Sequence, residues 1–217
     1  MFHDELVART GAERDGLIAL SLIQDALRGQ VTRAQYLEFL AQAYHHVRHT
    51  VPLLMACGLR LPERLAWLRA GIVRYIEEEA GHDEWILDDI RNTGGDAEGV
   101  RRGDPSHATE VMVAYAYDGI LRRNALNFFG MAFVLEGTSV QLATRAAGTI
   151  RQALNLPENA MTYLTSHGVL DIDHTKTFAG LMNRLDAVED RETIVRAAKT
   201  FYRLYADIFR DIGPVAA

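Results

Sequence analysis

Cysteine is almost missing from this chain: of 217 residues, only Cys57 carries a thiol. One thiol cannot close an internal disulfide, and cysteine-rich metal ligation is excluded with it. Basic runs are missing too, and the net charge is −6. Phosphate binding depends on clustered Lys and Arg, so nucleic acid is not an expected partner. No uninterrupted apolar run reaches the span of a membrane helix, and the N-terminal MFHDELVART lacks the apolar segment of a secretory signal. Alternating apolar and polar residues never run long enough to mark a strand, and neither a tandem repeat nor a Ser/Pro-rich linker occurs. These absences leave one expectation: a soluble, cytoplasmic, all-α protein forming a single domain over residues 1–217.

What is present is helical periodicity. A short helical pair is expected from about Asp4 to Arg28, stopped by Gly29. Thr32 followed by Gln35 forms a capping-box signature for the next helix, which Pro52 is expected to kink. Pro62 opens a long helix that runs to the turn signal Asn92-Thr93-Gly94-Gly95. DAEGVRRGDP reads as a connector. Further helices are expected at about 106–121, 124–154, 157–185 and 191–211.

Three of these helices carry acids where apolar residues belong. On the Pro62 helix, Leu65, Leu68, Ile72, Ile76, Ile86 and Ile90 form the buried stripe. Glu79 falls in its middle, with His82 on one flank and Asp83 on the other, while Glu77 points away and Glu78 to the side. Glu136 sits at the centre of a stripe that includes Phe129, Phe133, Val140 and Ala147. Asp171 is central on a third, with His167 and His174 beside it. Ionised carboxylates are rarely buried without compensation. Each acid taken singly is open to pairing with a buried Arg or Lys, but no basic residue lies centrally on the three stripes. Divalent cations would balance the charge, and bundles that hold two irons or manganese ions use inward carboxylates with a Glu-x-x-His pair. Mixed imidazole and carboxylate donors suit iron better than magnesium or calcium.

Glu79-x-x-His82, Glu136 on a separate helix, and His167-x3-Asp171-x2-His174 together resemble the haem-oxygenase-like diiron oxidases and oxygenases. The resemblance implies a seven-helix-type scaffold, shared with the TenA and PqqC proteins, over almost the whole chain. It implies that Glu79, His82, Glu136, His167, Asp171 and His174 hold two iron ions, with manganese or a mixed pair as variants. It also implies oxidation of a small, partly apolar substrate by dioxygen, an external electron donor, and a homodimer or larger homo-oligomer. Ser139, one turn after Glu136, is a candidate to orient a ligand. Tyr44, His49, Tyr75, Phe129, Phe133, Tyr163 and Phe178 are candidates to line the substrate pocket, although aromatics at helical spacing are more often plain core.

Other readings stay open on the same scaffold. A TenA-type thiamin-pyrimidine hydrolase works without metal through a cysteine nucleophile, for which only Cys57 is available. A haem-degrading enzyme needs a histidine on the first helix, where only His3 stands. A TenA-like regulatory protein is the non-enzymatic alternative.

Overall fold

Local chemistry dictates helix nearly everywhere, and what remains is where each helix stops. The computed structural model describes residues 1–213, the side chains of residues 167–173 excepted. The N-terminal segment forms three short helices instead of the expected pair: α1 (Phe2–Arg9), α2 (Gly11–Ile18) and α3 (Ser21–Arg28). Thr10 divides the first two, its buried hydroxyl donating to the Leu6 carbonyl at 2.7 Å. α4 (Arg33–Val47) opens on the expected capping box. Gln35 N–H donates to Thr32 Oγ1 at 3.2 Å, and Thr32 N–H donates to Gln35 Oε1 at 2.9 Å.

Two expected long helices are broken. α4 ends at Val47 and α5 (Thr50–Arg60) begins afresh. Pro52 therefore lies in the first turn of α5, where a missing N–H costs nothing, and it produces no kink. The Pro62 helix is also divided, into a 3-10 turn at Glu63–Leu65, α6 (Leu68–Glu79) and α7 (His82–Thr93). Gly81 makes the second break at φ 90°, backbone geometry that a side chain strains to adopt. The stretch read as a connector contains α8 (Ala97–Arg102), capped by Asp96, whose Oδ1 accepts Gly99 N–H at 2.8 Å. Beyond it come α9 (His107–Asp118), a π-helical turn at Gly119–Arg123, α10 (Asn127–Leu154), a 3-10 turn at Glu158–Ala160, α11 (Thr162–Met182) and α12 (Val188–Asp211). The described residues contain no strand, and no helix among them is long and apolar enough to cross a membrane.

α10 is the central strut, packed against both α11 and α12, with α3 laid on its far part; α4 packs on α7, and α9 on α12. The α10–α12 crossing is tight. A Cβ on Gly130 would lie 2.6 Å from Ala197 Cβ and 2.7 Å from the Ala198 nitrogen, so only glycine lets these backbones meet. Two apolar cores result. The larger contains Phe128, Phe129, Phe133, Phe178 and Phe201; the smaller joins α4, α7 and the second half of α10 through Tyr36, Leu40, Ile86, Leu87 and Ile150. Together they make a single all-helical domain.

Candidate metal centre and cavity

The break at Gly81 sets the geometry of the site. Glu79 is the last residue of α6 and His82 the first of α7, so the Glu-x-x-His pair straddles a turn and does not share one helical face. The turn folds them together: Glu79 Oε2 lies 3.2 Å from His82 Nδ1. From α11, His174 brings its Nδ1 to 3.8 Å from Glu79 Oε1. The ring of Tyr75, one turn before Glu79, packs 5.5 Å from the His174 ring, and the Tyr75 hydroxyl donates to Glu136 Oε2 of α10 at 3.3 Å. A continuous chain of contacts therefore runs from His82 through Glu79, His174 and Tyr75 to Glu136. The side chains of His82, Glu79 and His174 are 3%, 10% and 6% exposed.

The side chains of His167 and Asp171 lie outside the described residues. Among the described ones, no three His, Cys, Asp or Glu side chains close on a single point for an ion. What they offer is the right donor chemistry: imidazole N and carboxylate O atoms from four separate helices, brought together beside a cavity, which is the mixed set that iron or manganese accepts. In donor type the residues fit.

Three neighbours escaped the periodicity argument. Glu78, which helical phase turns aside, places Oε2 3.1 Å from His174 Nε2. Trp85 stacks on His82 with ring centroids 4.1 Å apart; it follows His82 by three residues, and that spacing was the available signal. Asp89, wholly buried on α7, accepts the backbone N–H groups of Thr162 and Tyr163 at 2.9 and 2.8 Å, so α7 caps the helix that carries His174. Burial raises the Asp89 carboxyl to about 6, the backbone donors offsetting only part of the effect.

Glu79 and Glu136 open onto a cavity of about 160 Å³ between the two cores. Of the pocket residues expected from sequence, Tyr75 and Tyr163 line it. Phe129, Phe133 and Phe178 do not wall it; they pack on one another, Phe178 lying 6.3 Å from Phe129 and 6.0 Å from Phe133 between ring centroids. Tyr44 and His49 also lie elsewhere. Tyr44 packs on His45, and His49, in the break between α4 and α5, has Nδ1 3.1 Å from the Tyr117 hydroxyl. Burial lowers the pKa of His49, with Arg48 adding to the effect. The neighbouring His46, assigned no role by periodicity, is the histidine of that run which reaches the cavity.

Comparison with known proteins accords with this architecture. A domain with a haem-oxygenase-like fold from Shewanella denitrificans superposes with a TM-score of 0.86 at 24% identity, covering 96% of this chain and 90% of its own. A TenA homologue from Pseudomonas syringae pv. tomato gives 0.81 at 10% identity, covering 97% and 92%. Haem oxygenase from Leptospira interrogans gives 0.77 at 16% identity, covering 97% and 98%. At these identities the likeness establishes the fold. Among curated proteins, none matches the chain. The sequence model of a family of iron-containing redox enzymes matches residues 37–206, a span that begins in α4 and ends in α12, and takes in Glu79, His82, Glu136 and His174. The chain belongs to that family, the iron-containing redox enzymes of haem-oxygenase-like fold.

Proposed function

We propose that this protein is a non-haem diiron oxidase or oxygenase acting on a small, largely apolar substrate. The observation that carries the reading is the buried contact chain of Glu79, His82, His174 and Glu136, drawn from separate helices to the wall of an apolar cavity. Those four residues, with His167 and Asp171 by motif, would hold two irons. When bound, the pair supplies dioxygen activation, and turnover needs an external electron donor.

The chain's own contribution is positioning and exclusion. The Tyr75 hydroxyl donates to one oxygen of Glu136 and restrains its carboxylate. Trp85, stacked on the His82 ring, restrains its plane. The apolar walls keep bulk water from the reacting end of the cavity. Cys57 supports no rival chemistry. Its Sγ donates to the Ala125 carbonyl at 3.3 Å, and burial pushes the thiol up to about 12, far from the thiolate that a nucleophile requires.

The test is elemental analysis of protein reconstituted anaerobically with ferrous iron, followed by dioxygen uptake. About two irons per chain are expected, with loss of at least one in His174→Ala and in Asp171→Ala. A reconstituted wild-type protein free of transition metal would refute the proposal.

A further inference from the structure

Two glutamates stand side by side at the end of α6, and the fold gives them different partners. Glu78 has both carboxylate oxygens engaged. Arg74, one turn back on α6, donates from Nε to Glu78 Oε1 at 2.7 Å. Oε2 lies 3.1 Å from Nε2 of His174 on α11. The three side chains step inward from solvent, Arg74 being 60% exposed, Glu78 31% and His174 6%.

Glu79 is 10% exposed and turns its two oxygens to two imidazoles, Oε2 to His82 Nδ1 at 3.2 Å and Oε1 to His174 Nδ1 at 3.8 Å. To ligate an ion, Glu78 would have to release Arg74 or His174. Glu79 already lies between the histidines expected to share a metal.

These distances assign the proton of His174. An ionised carboxylate only accepts hydrogen bonds, so the 3.1 Å contact with Glu78 puts an N–H on Nε2. At 3.8 Å, Nδ1 is too far from Glu79 Oε1 to donate to it. A neutral imidazole protonated on Nε2 carries its lone pair on Nδ1. The hydrogen bond made by one ring nitrogen decides which nitrogen is left to bind a metal. Here that nitrogen is the one on the Glu79 side.

We infer that Glu78 is a positioning residue and not a ligand: it holds His174 in the Nε2–H tautomer and so presents Nδ1 to the iron site, while Arg74 holds the Glu78 carboxylate in place. What Nδ1 binds rests on the diiron reading; the tautomer rests on the side-chain geometry alone. Two measurements test the inference. Long-range proton–nitrogen correlation spectra of metal-free, 15N-histidine-labelled protein at pH 8, where imidazole is neutral, report which ring nitrogen is protonated, with His174→Gln assigning the signal. Competitive chelation reports the affinity for ferrous iron.

Wild-type His174 should carry its proton on Nε2. Glu78→Ala should lose that preference and bind iron at least about tenfold more weakly. Glu78→Gln removes the same charge but keeps an oxygen that accepts the N–H, so it should preserve the tautomer and stay within about threefold of wild type. Loss of a negative charge near the ion, or of a ligand, would weaken both variants alike. Glu78→Gln as weak as Glu78→Ala, a tautomer unmoved in Glu78→Ala, or a wild-type proton on Nδ1 would overturn the inference, and the wild-type spectrum depends on no variant folding. A tautomer lost in Glu78→Ala and restored in Glu78→Gln, in protein that takes up no iron, would leave the positioning role standing and remove the diiron reading instead.

Discussion

At the scale of single residues, the site is held by groups that touch the expected ligands. Tyr75 is the clearest. Replacing it with Phe removes the hydroxyl donated to Glu136 and keeps the ring beside His174. Tyr75→Phe should therefore fold normally and lose roughly tenfold in iron affinity or turnover, measured by competitive chelation and dioxygen uptake. Asp89 adds a pH dependence. Its folded pKa of about 6 lies above the ordinary 3.8, so the folded protein holds this proton over a window in which the unfolded chain has released it. The associated stability is complete below about pH 4, is lost as pH rises through 6, and is constant above that. Urea titrations of metal-free protein at pH 4.5 and 7.5 should show this component, up to about 3 kcal/mol, and Asp89→Asn should abolish it. Equal pH dependence in wild type and variant would refute the assignment.

At the scale of elements, two glycines determine how helices meet. Gly81 ends one helix and begins the next at φ 90°. Gly81→Ala should cost about 1–2 kcal/mol in backbone strain and lower iron content, because Glu79 and His82 flank it on either side of the turn. Gly130 sets the distance between α10 and α12. A methyl group there meets the backbone of Ala198, so Gly130→Ala should destabilise by about 1–3 kcal/mol, read from the denaturant midpoint, with iron stoichiometry in the folded fraction unchanged. The same elements show why helix breaks were hard to read. A glycine inside an apolar periodic run is compatible with a continuous helix, and nothing local to AGHDEW distinguishes that from a left-handed turn. Pro52 misled in the opposite sense: proline ends a helix only where its N–H was needed, and a first turn does not need it.

At the scale of the whole molecule, the proposed metal centre draws its residues from α6, α7, α10 and α11, so an ion bound there would link both apolar cores. Ligand binding confined to the folded state adds stability by mass action. Iron-loaded protein should melt several degrees above chelated protein, and His82→Ala should erase most of the difference. A melting temperature indifferent to iron would mean that the ligands do not draw these helices together. The buried Asp190, ion-paired with Arg64 at the start of α12, lies outside this linkage.

The sequence by itself determined the helical class and the residues that would face inward. Apolar periodicity requires amphipathic helices, and an acid at the centre of such a stripe requires compensation wherever the helix packs. Glu79 and Glu136 were legible for that reason, and His174 as the neighbour of the acid expected at the centre of the third stripe. Tertiary structure alone decided their company: Glu78 beside His174, Asp89 capping a helix more than seventy residues away, and the aromatic residues divided between packed core and open passage. Those outcomes depend on the distance and angle at which rods cross, which arise from close packing over the whole domain and leave no periodic trace along any one of its helices.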